Sequence, residues 1–273
     1  LFLPQIAVTT RRLHDVNKSG WWQLISFTII GLIPLIVWLV TKGEKHYEDT
    51  RLPVADYKLT YQSPSGRGVY TFCMCPGGVI APAATENGEV VVNGWSPSKR
   101  NGKYANSGWV TEIGEEEWVD FKHHGPLAGL EFQKYIEQKA YEMGGGQFKV
   151  PAQNLLDYLE EKQSNALNAS SYHPGKTSVD LNNLYPEAIN FRLREGLREM
   201  TKKLKGFDHQ DAVVTAPESR TSAPVRIPRT VYLHHTEITN LYPCGEGAGY
   251  AGGIISAGLD GIRVVKAIKD IES

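Results

Sequence analysis

Gly247, Gly249 and Gly252 spell G-x-G-x-x-G near the C-terminal end of the sequence, with Glu246 directly ahead and Gly245 and Gly253 on either side. Glycine lets a backbone come close to a ligand with no Cβ in the way. A helix that starts behind such a run points unpaired N–H groups at negative charge. A glutamate in front of it can accept hydrogen bonds from ligand hydroxyls. The candidate cofactor-binding residues are therefore Gly245, Glu246, Gly247, Ala248, Gly249, Tyr250, Ala251, Gly252 and Gly253. As a bare spacing the motif is weak, because a glycine cluster can equally serve to pack a terminal helix on a sheet. An opening dinucleotide fingerprint also requires a second strand and a ribose-binding acid roughly twenty residues on. Here the sequence predicts a strand over Leu241–Cys244, then the glycines, then a helix from Gly252 or Gly253 whose apolar positions are Ile255, Leu259, Ile262, Val265 and Ile268. That order reads as the closing strand–loop–helix of a dinucleotide-binding domain.

Other residues with chemical potential are fewer. Cys73 and Cys75, in FCMCPGG, are two apart and on a strand would share one face. They read either as a redox or substrate-facing pair or as two small buried hydrophobes; a direct disulfide between them would be strained. His123–His124 and His234–His235 are sequence neighbours without a metal-ligand array, so the expectation is turn or surface histidines and no metal site. Arg220, Arg226 and Arg229 form a basic cluster able to meet phosphate or carboxylate, with a solvated loop as the bland alternative. No G-x-S-x-G elbow is present, and no catalytic residue is assigned.

The elements that must position these groups follow from periodicity. Of 273 residues, 41% are hydrophobic and 22% charged, with a formal net charge of -1, so a globular core is expected and nucleic acid is not an expected partner. Phe132, Ile136, Ala140 and Met143 predict a helix stopped by Gly144–Gly145–Gly146, and Ile189, Leu193, Leu197, Met200 and Leu204 a second, started near Pro186 and stopped at Gly206. Pro151–Glu161 predicts a further short helix. Ahead of these, YKLTYQ, VYTFCMC, EVVVNG and WVTEI read as short strands, with Asn87–Gly88 as a hairpin turn.

The first fifth differs in kind. Trp21 to Val40 is a run of twenty residues without a charge, edged by Trp21, Trp22 and Trp38. At 1.5 Å per residue such a run spans a hydrocarbon core of about 30 Å, and tryptophans favour its interfaces. A transmembrane helix over about 21–40 is expected, its orientation undecided because Arg11, Arg12 and Lys18 balance Lys42, Lys45 and Arg51.

Two resemblances sharpen these readings. RRLHDVNKSGWW followed by LIPLIVWLVTKG resembles the end of a family of small bacterial inner-membrane proteins of unassigned function. GRGVYTFCMCPGG, VVNGWSPSKRNGKYANSGWV, ESRTSAPVRIPR and YPCGEGAGYAGGIISAGLDGIRV resemble a family of bacterial FAD-dependent dehydrogenases, over about residues 54–270. The second resemblance implies FAD as cofactor, held by the glycine loop, with Glu218, Arg220 and Arg226 in a segment returning to the flavin domain. It also implies an opening Rossmann unit, which this sequence does not contain. The expected organisation is a membrane segment (1–45), a linker (46–53), an α+β substrate or insert domain (54–205), and the C-terminal part of a Rossmann-like FAD-binding domain (206–273). The expected fold class is thus α/β behind a transmembrane helix. The expected function is that of an FAD-dependent oxidoreductase of the dehydrogenase kind, lacking its opening unit unless a second polypeptide supplies it. The alternative is a non-enzymatic membrane protein fused to an inactive flavoprotein remnant. Either way the expected location is the bacterial inner membrane with the soluble part in the cytoplasm, or the cytoplasm if the membrane segment is not genuine.

Overall fold

A computed structural model describes residues 59–272. The transmembrane helix expected over 21–40 and the linker lie outside the described residues. Among the described residues no helix is long and apolar enough to cross a membrane.

The chain is a mixed α/β protein with several small sheets. β1 (Thr60–Gln62), β2 (Gly68–Cys75) and β5 (Asn106–Thr111) form one sheet in the order β1-β2-β5, and β3 (Val79–Pro82) pairs with β4 (Val92–Trp95). The expected hairpin around Asn87–Gly88 therefore exists, with Gly88 at φ 77°. Its loop is long because Val90 and Val91 are fully buried and Val90 N–H is drawn to the carbonyl of Glu137, leaving no tight two-residue turn.

Packing divides the described residues into two compact units. The smaller comprises 72–80 and 94–107. In it the backbones of Gly77 and Gly102 touch: a Cβ on Gly77 would stand 2.4 Å from the carbonyl of Arg100, and one on Gly102 2.4 Å from that of Gly77. The paired-cysteine expectation fails here. Cys73 adopts φ 49°, which breaks the strand's alternation, so Cys73 is exposed and Cys75 buried, on no common face.

The larger unit comprises 59–71, 81–93 and everything from Gly108 onward. Its centre is β6 (Val150–Asn154), parallel to β7 (Lys176–Ser178) and antiparallel to β8 (Val213–Thr215). Being flanked on both edges, β6 is buried along four of its five residues. Gln153 within it is satisfied by Lys162 carbonyl (2.7 Å) and Leu181 N–H (2.9 Å).

Helix α1 (Ala128–Gly144) packs on β6 and buries Phe132, Ile136 and Ala140, as their spacing predicts. It ends where Gly145 enters the left-handed region and Gly145 and Gly146 donate to Glu142 and Tyr141 carbonyls, satisfying the last-turn acceptors. The predicted short helix shrinks to α2 (Leu155–Leu159), since its first half is β6. Helix α3 (Glu187–Lys203) buries Ile189, Leu193, Leu197 and Met200, and Gly196 lies against Val69 so tightly that a Cβ would clash at 2.6 Å. The final helix, α4, runs Ile254–Glu272, one residue behind the predicted start. Leu241–Cys244 is not a strand: no ladder partner among the described residues reaches it, and Leu241 instead closes a turn by donating to Ile238 carbonyl and accepting from His235 N–H.

Candidate functional site

The glycine loop is built from two overlapping turns. Gly249 N–H donates to Glu246 carbonyl (2.9 Å) and Tyr250 N–H to Gly245 carbonyl (3.0 Å). A single residue from the preceding segment clamps them. Arg229 donates to Pro243 carbonyl (2.9 Å) and, through both terminal nitrogens, to the Asp260 carboxylate of α4 (2.8 and 2.9 Å). Asp260 in turn accepts Gly245 N–H at 3.0 Å, and the Tyr250 ring lies 3.6 Å from the Arg229 guanidinium carbon. Arg229 and the Gly245 N–H hold the Asp260 carboxyl far down, at about 2. Arg226 donates to Gly249 carbonyl (3.1 Å) and Tyr250 hydroxyl to Ile227 carbonyl (2.9 Å), so the loop is stapled to residues 225–229 along its length.

The glycines divide into two groups on this geometry. Gly245 (φ 72°) and Gly249 (φ 80°) need a left-handed backbone, and a Cβ on Gly249 would stand 2.6 Å from Val225 carbonyl. These two serve the loop itself. A Cβ on Gly247 would meet nothing within 4 Å, one on Gly252 only Ser222 Oγ at 3.2 Å, and one on Gly253 only Ser256 Oγ at 3.7 Å. Nothing in the described fold requires those three to be glycine. Ala248 is buried, Tyr250 is engaged as above, and Ala251 is half-buried.

Glu246 and Gly247 form one wall of a cleft of about 530 Å³. Thr85, Glu86 and Glu89 from the hairpin loop, Leu130, Glu131, Gln133, Lys134 and Glu137 of α1, and Arg220 with Ser222–Pro224 form the others. At its floor Arg220 is shared by two buried carboxylates, reaching Glu137 Oε1 at 3.0 Å and Oε2 at 2.5 Å, and Glu89 Oε2 at 3.1 Å. Glu137 also accepts from Ser219 (2.5 Å) and Gln133 (2.9 Å). Burial works to raise both carboxyls. In Glu137 the hydrogen bonds from Arg220, Ser219 and Gln133 outweigh it and the group lies below the usual range. In Glu89 burial and the charge of Glu137 outweigh Arg220, and the group lies above it. The floor therefore holds one firmly ionised carboxylate beside one that takes up a proton more readily. Glu218, two residues ahead of Arg220, is pushed up to about 7 by burial.

Of the residues expected from sequence, the loop residues are brought together, but only Glu246 and Gly247 line the cleft. The arginine cluster is dispersed: Arg220 pairs with glutamates, Arg229 with Asp260, and Arg226 with backbone. His123 and His124 are exposed, and His235 Nδ1 accepts the N–H groups of Glu237 and Ile238, a turn role as expected. Sequence reading missed Glu89, Glu137 and Asp260. Glu137 had one available signal, since it borders the apolar arc of Ile136 and Ala140. Glu89 and Asp260 had none, their partners lying 131 and 31 residues away. Among the described residues no group of three or more ligating side chains is placed to hold a metal.

Residues 41–221 match a family model described as FAD-dependent protein, C-terminal domain-like. The chain belongs to this family. The match includes Glu89, Glu137 and Arg220 on the cleft floor and ends ahead of the glycine loop. An uncharacterized protein of Clostridium beijerinckii is 44% identical over 232 residues, which are 84% of this chain and 43% of that protein. The chain thus spans under half the length of this curated relative. Residues 1–49 match a separate model, a protein of unknown function (DUF805). Over that part, the Escherichia coli inner membrane protein YhaI is similar at 46% identity over 43 residues, 15% of this chain and 36% of YhaI. Inner membrane protein YhaH of the same organism is 50% identical over 40 residues, 15% of this chain and 29% of YhaH.

Proposed function

We propose that residues 54–273 are the substrate-side and closing parts of an FAD-dependent oxidoreductase of the dehydrogenase kind, with the glycine loop as a flavin contact. The observation that carries this is the set of three glycines, Gly247, Gly252 and Gly253, whose missing side chains no internal packing demands. Gly252 and Gly253 directly precede α4, where first-turn N–H groups have no partner within the helix, and Gly247 lies in the turn ahead of them. That is the surface a pyrophosphate or the pyrimidine edge of a flavin fits, because both present negative charge to backbone donors. Glu246, on the wall of the cleft, would accept hydrogen bonds from ribityl or ribose hydroxyls. The bound flavin would supply the electron or hydride transfer. The chain's own residues would hold it, and the Arg229–Asp260 clamp would fix the loop against it. Family membership over 41–221 supports the cofactor assignment. The rest of the dinucleotide-binding domain, opened by a Rossmann unit, would come from elsewhere in a longer protein or from a second polypeptide. Likeness of residues 1–49 to inner membrane proteins supports placement at the bacterial inner membrane; the cytoplasmic side for the remaining chain is part of the proposal.

A second reading, an inactive flavoprotein remnant on a membrane protein, is favoured by one observation: Leu241–Cys244 forms no strand, so the loop is not backed by a sheet. Absorption spectra of the purified protein before and after FAD addition separate the two. The enzyme reading expects a near-stoichiometric bound flavin and, at about 100 times the Kd, roughly 2.7 kcal/mol of added stability. Gly247→Asp, which meets no packing, should abolish both effects while leaving the flavin-free melting temperature unchanged. Absence of bound flavin and of any thermal gain in the native chain would sink the enzyme reading and leave the remnant.

A further inference from the structure

Helix α4 turns most of its large apolar side chains away from its own chain. The side it turns toward its own chain carries Val264 at 4% exposure and Asp260 in its clamp. The side it turns outward carries Ile254 at 88%, Ile255 at 76%, Leu259 at 61%, Ile262 at 55% and Val265 at 63%. At 100° per residue these five fall on one broad arc, with Gly258 in its middle. A Cβ on Gly258 would meet nothing within 4 Å, so the glycine is a notch in the outward face and serves no contact inside the chain. Lys266 and Lys269 edge the same face toward the C-terminus. Apolar surface this continuous marks a face made to be covered.

We propose that this outward face of α4 docks the part of a full-length family protein that lies outside the aligned region. Two observations choose that occupant. The Clostridium relative has more than half its length beyond the 232 aligned residues, so a polypeptide large enough to bury the face exists alongside this region. The Gly258 notch favours close approach of another backbone, which a lipid surface does not need. The partner is a protein domain with an apolar surface, reached either along one chain or across two. The choice of partner rests on the flavoprotein reading; the docking itself is measured without FAD, so the failure of one is distinguishable from the failure of the other.

The test uses the full chain in phosphatidylcholine nanodiscs, alone and co-expressed with the portion of the Clostridium protein outside the aligned residues. Hydroxyl-radical footprinting of Ile255, Leu259 and Ile262 reports coverage, and co-purification reports the complex. The expected result is strong labelling in the chain alone, at least ten-fold protection in a one-to-one complex, and loss of that complex on Leu259→Asp or Ile262→Asp with the chain's own melting temperature unchanged. Protection in the chain alone would overturn the proposal in favour of residues 1–58 or a second copy, which light scattering tells apart. Protection produced only by anionic lipid would overturn it in favour of a membrane surface. Labelling without any co-purified complex would overturn it as well.

Discussion

Between Ala128 and Thr215 the packing is done by apolar side chains: Ala140, Val150, Ala152, Leu184 and Met200 are at 0% exposure, and Leu181 and Leu197 at 1%. Between Val225 and Asp270 the buried apolar side chains are few, Leu233, Pro243, Ala248 and Val264, while ten large ones, from Ile227 to Val265, stand exposed. What organises this second region is polar. Arg229 gathers Pro243, Asp260 and Tyr250 around itself, and Arg226 and Tyr250 tie the loop back to residues 225–227. The two regions have different demands on their surroundings. A core that buries its apolar surface is stable without a neighbour. A loop and helix held by a few directional bonds keep their shape but leave the hydrophobic contribution to whatever covers α4.

The largest effect that separates the regions is a matched pair of truncations. Leu197→Ala, at a 1% exposed site in α3, should cost about 3 kcal/mol of global stability in urea unfolding, through lost burial and the cavity left behind. Leu259→Ala, at 61% exposure in α4, should stay within about 0.5 kcal/mol in the chain alone. If the two costs came out alike, α4 would be covered in solution and the contrast would fail.

Smaller, and local, is the removal of the clamp. Arg229→Ala leaves Asp260 nearly buried with Gly245 N–H as its remaining partner and frees Pro243 carbonyl. Breaking a buried pair from one side costs about 3–5 kcal/mol, less where water can reach the survivor, so about 2 kcal/mol is expected here. Hydrogen exchange should show it as lost protection at the N–H groups of Gly245, Gly249 and Tyr250, with the β6 amides unchanged. Protection lost equally in both places would mean the regions unfold as one cooperative unit.

How far the sequence foretold this contrast differs between the regions too. In the core, the four-four-three spacing of Phe132 to Met143 and of Ile189 to Met200 marked both long helices, and glycines at 145 and 206 marked their ends, because these signals are local. In the tail, the same kind of spacing found α4 but not its orientation. Periodicity reports that Ile255, Leu259 and Ile262 share a face, not what that face meets. The strand expected at Leu241–Cys244 needed a ladder partner that the described residues do not provide. Alternation at Cys73–Cys75 was broken by a single left-handed residue, for which the sequence carries no glycine or asparagine as warning. The cleft floor was illegible for a different reason: Arg220 meets Glu89 and Glu137 across 131 and 83 residues, distances over which charge pairing leaves no local trace. The family match covers that floor and ends ahead of the glycines.

The smallest expected effect is on acidity, and its sign is fixed by Asp260. The Arg229 hydrogen bonds, and after them the bond from Gly245 N–H, hold this carboxyl at about 2, against an ordinary value of 3.8. A carboxyl depressed in the folded state stabilises it above the unfolded value and ceases to do so as pH falls through the folded one. The tail should therefore keep its clamp energy at pH 5 and above, begin to lose it below about 4, and have lost most of it near pH 2, a change on the order of 1–2 kcal/mol allowing for partial screening at the rim. The measurement is exchange at Tyr250 N–H across that interval, corrected for the intrinsic pH dependence of exchange, in the native chain and in Asp260→Asn. The native tail should open progressively with acid, while the asparagine variant, which cannot titrate, should start from a weaker clamp and show no such drift. Equal drift in both would place the acid sensitivity elsewhere and remove Asp260 as the residue that holds the glycine loop to its helix.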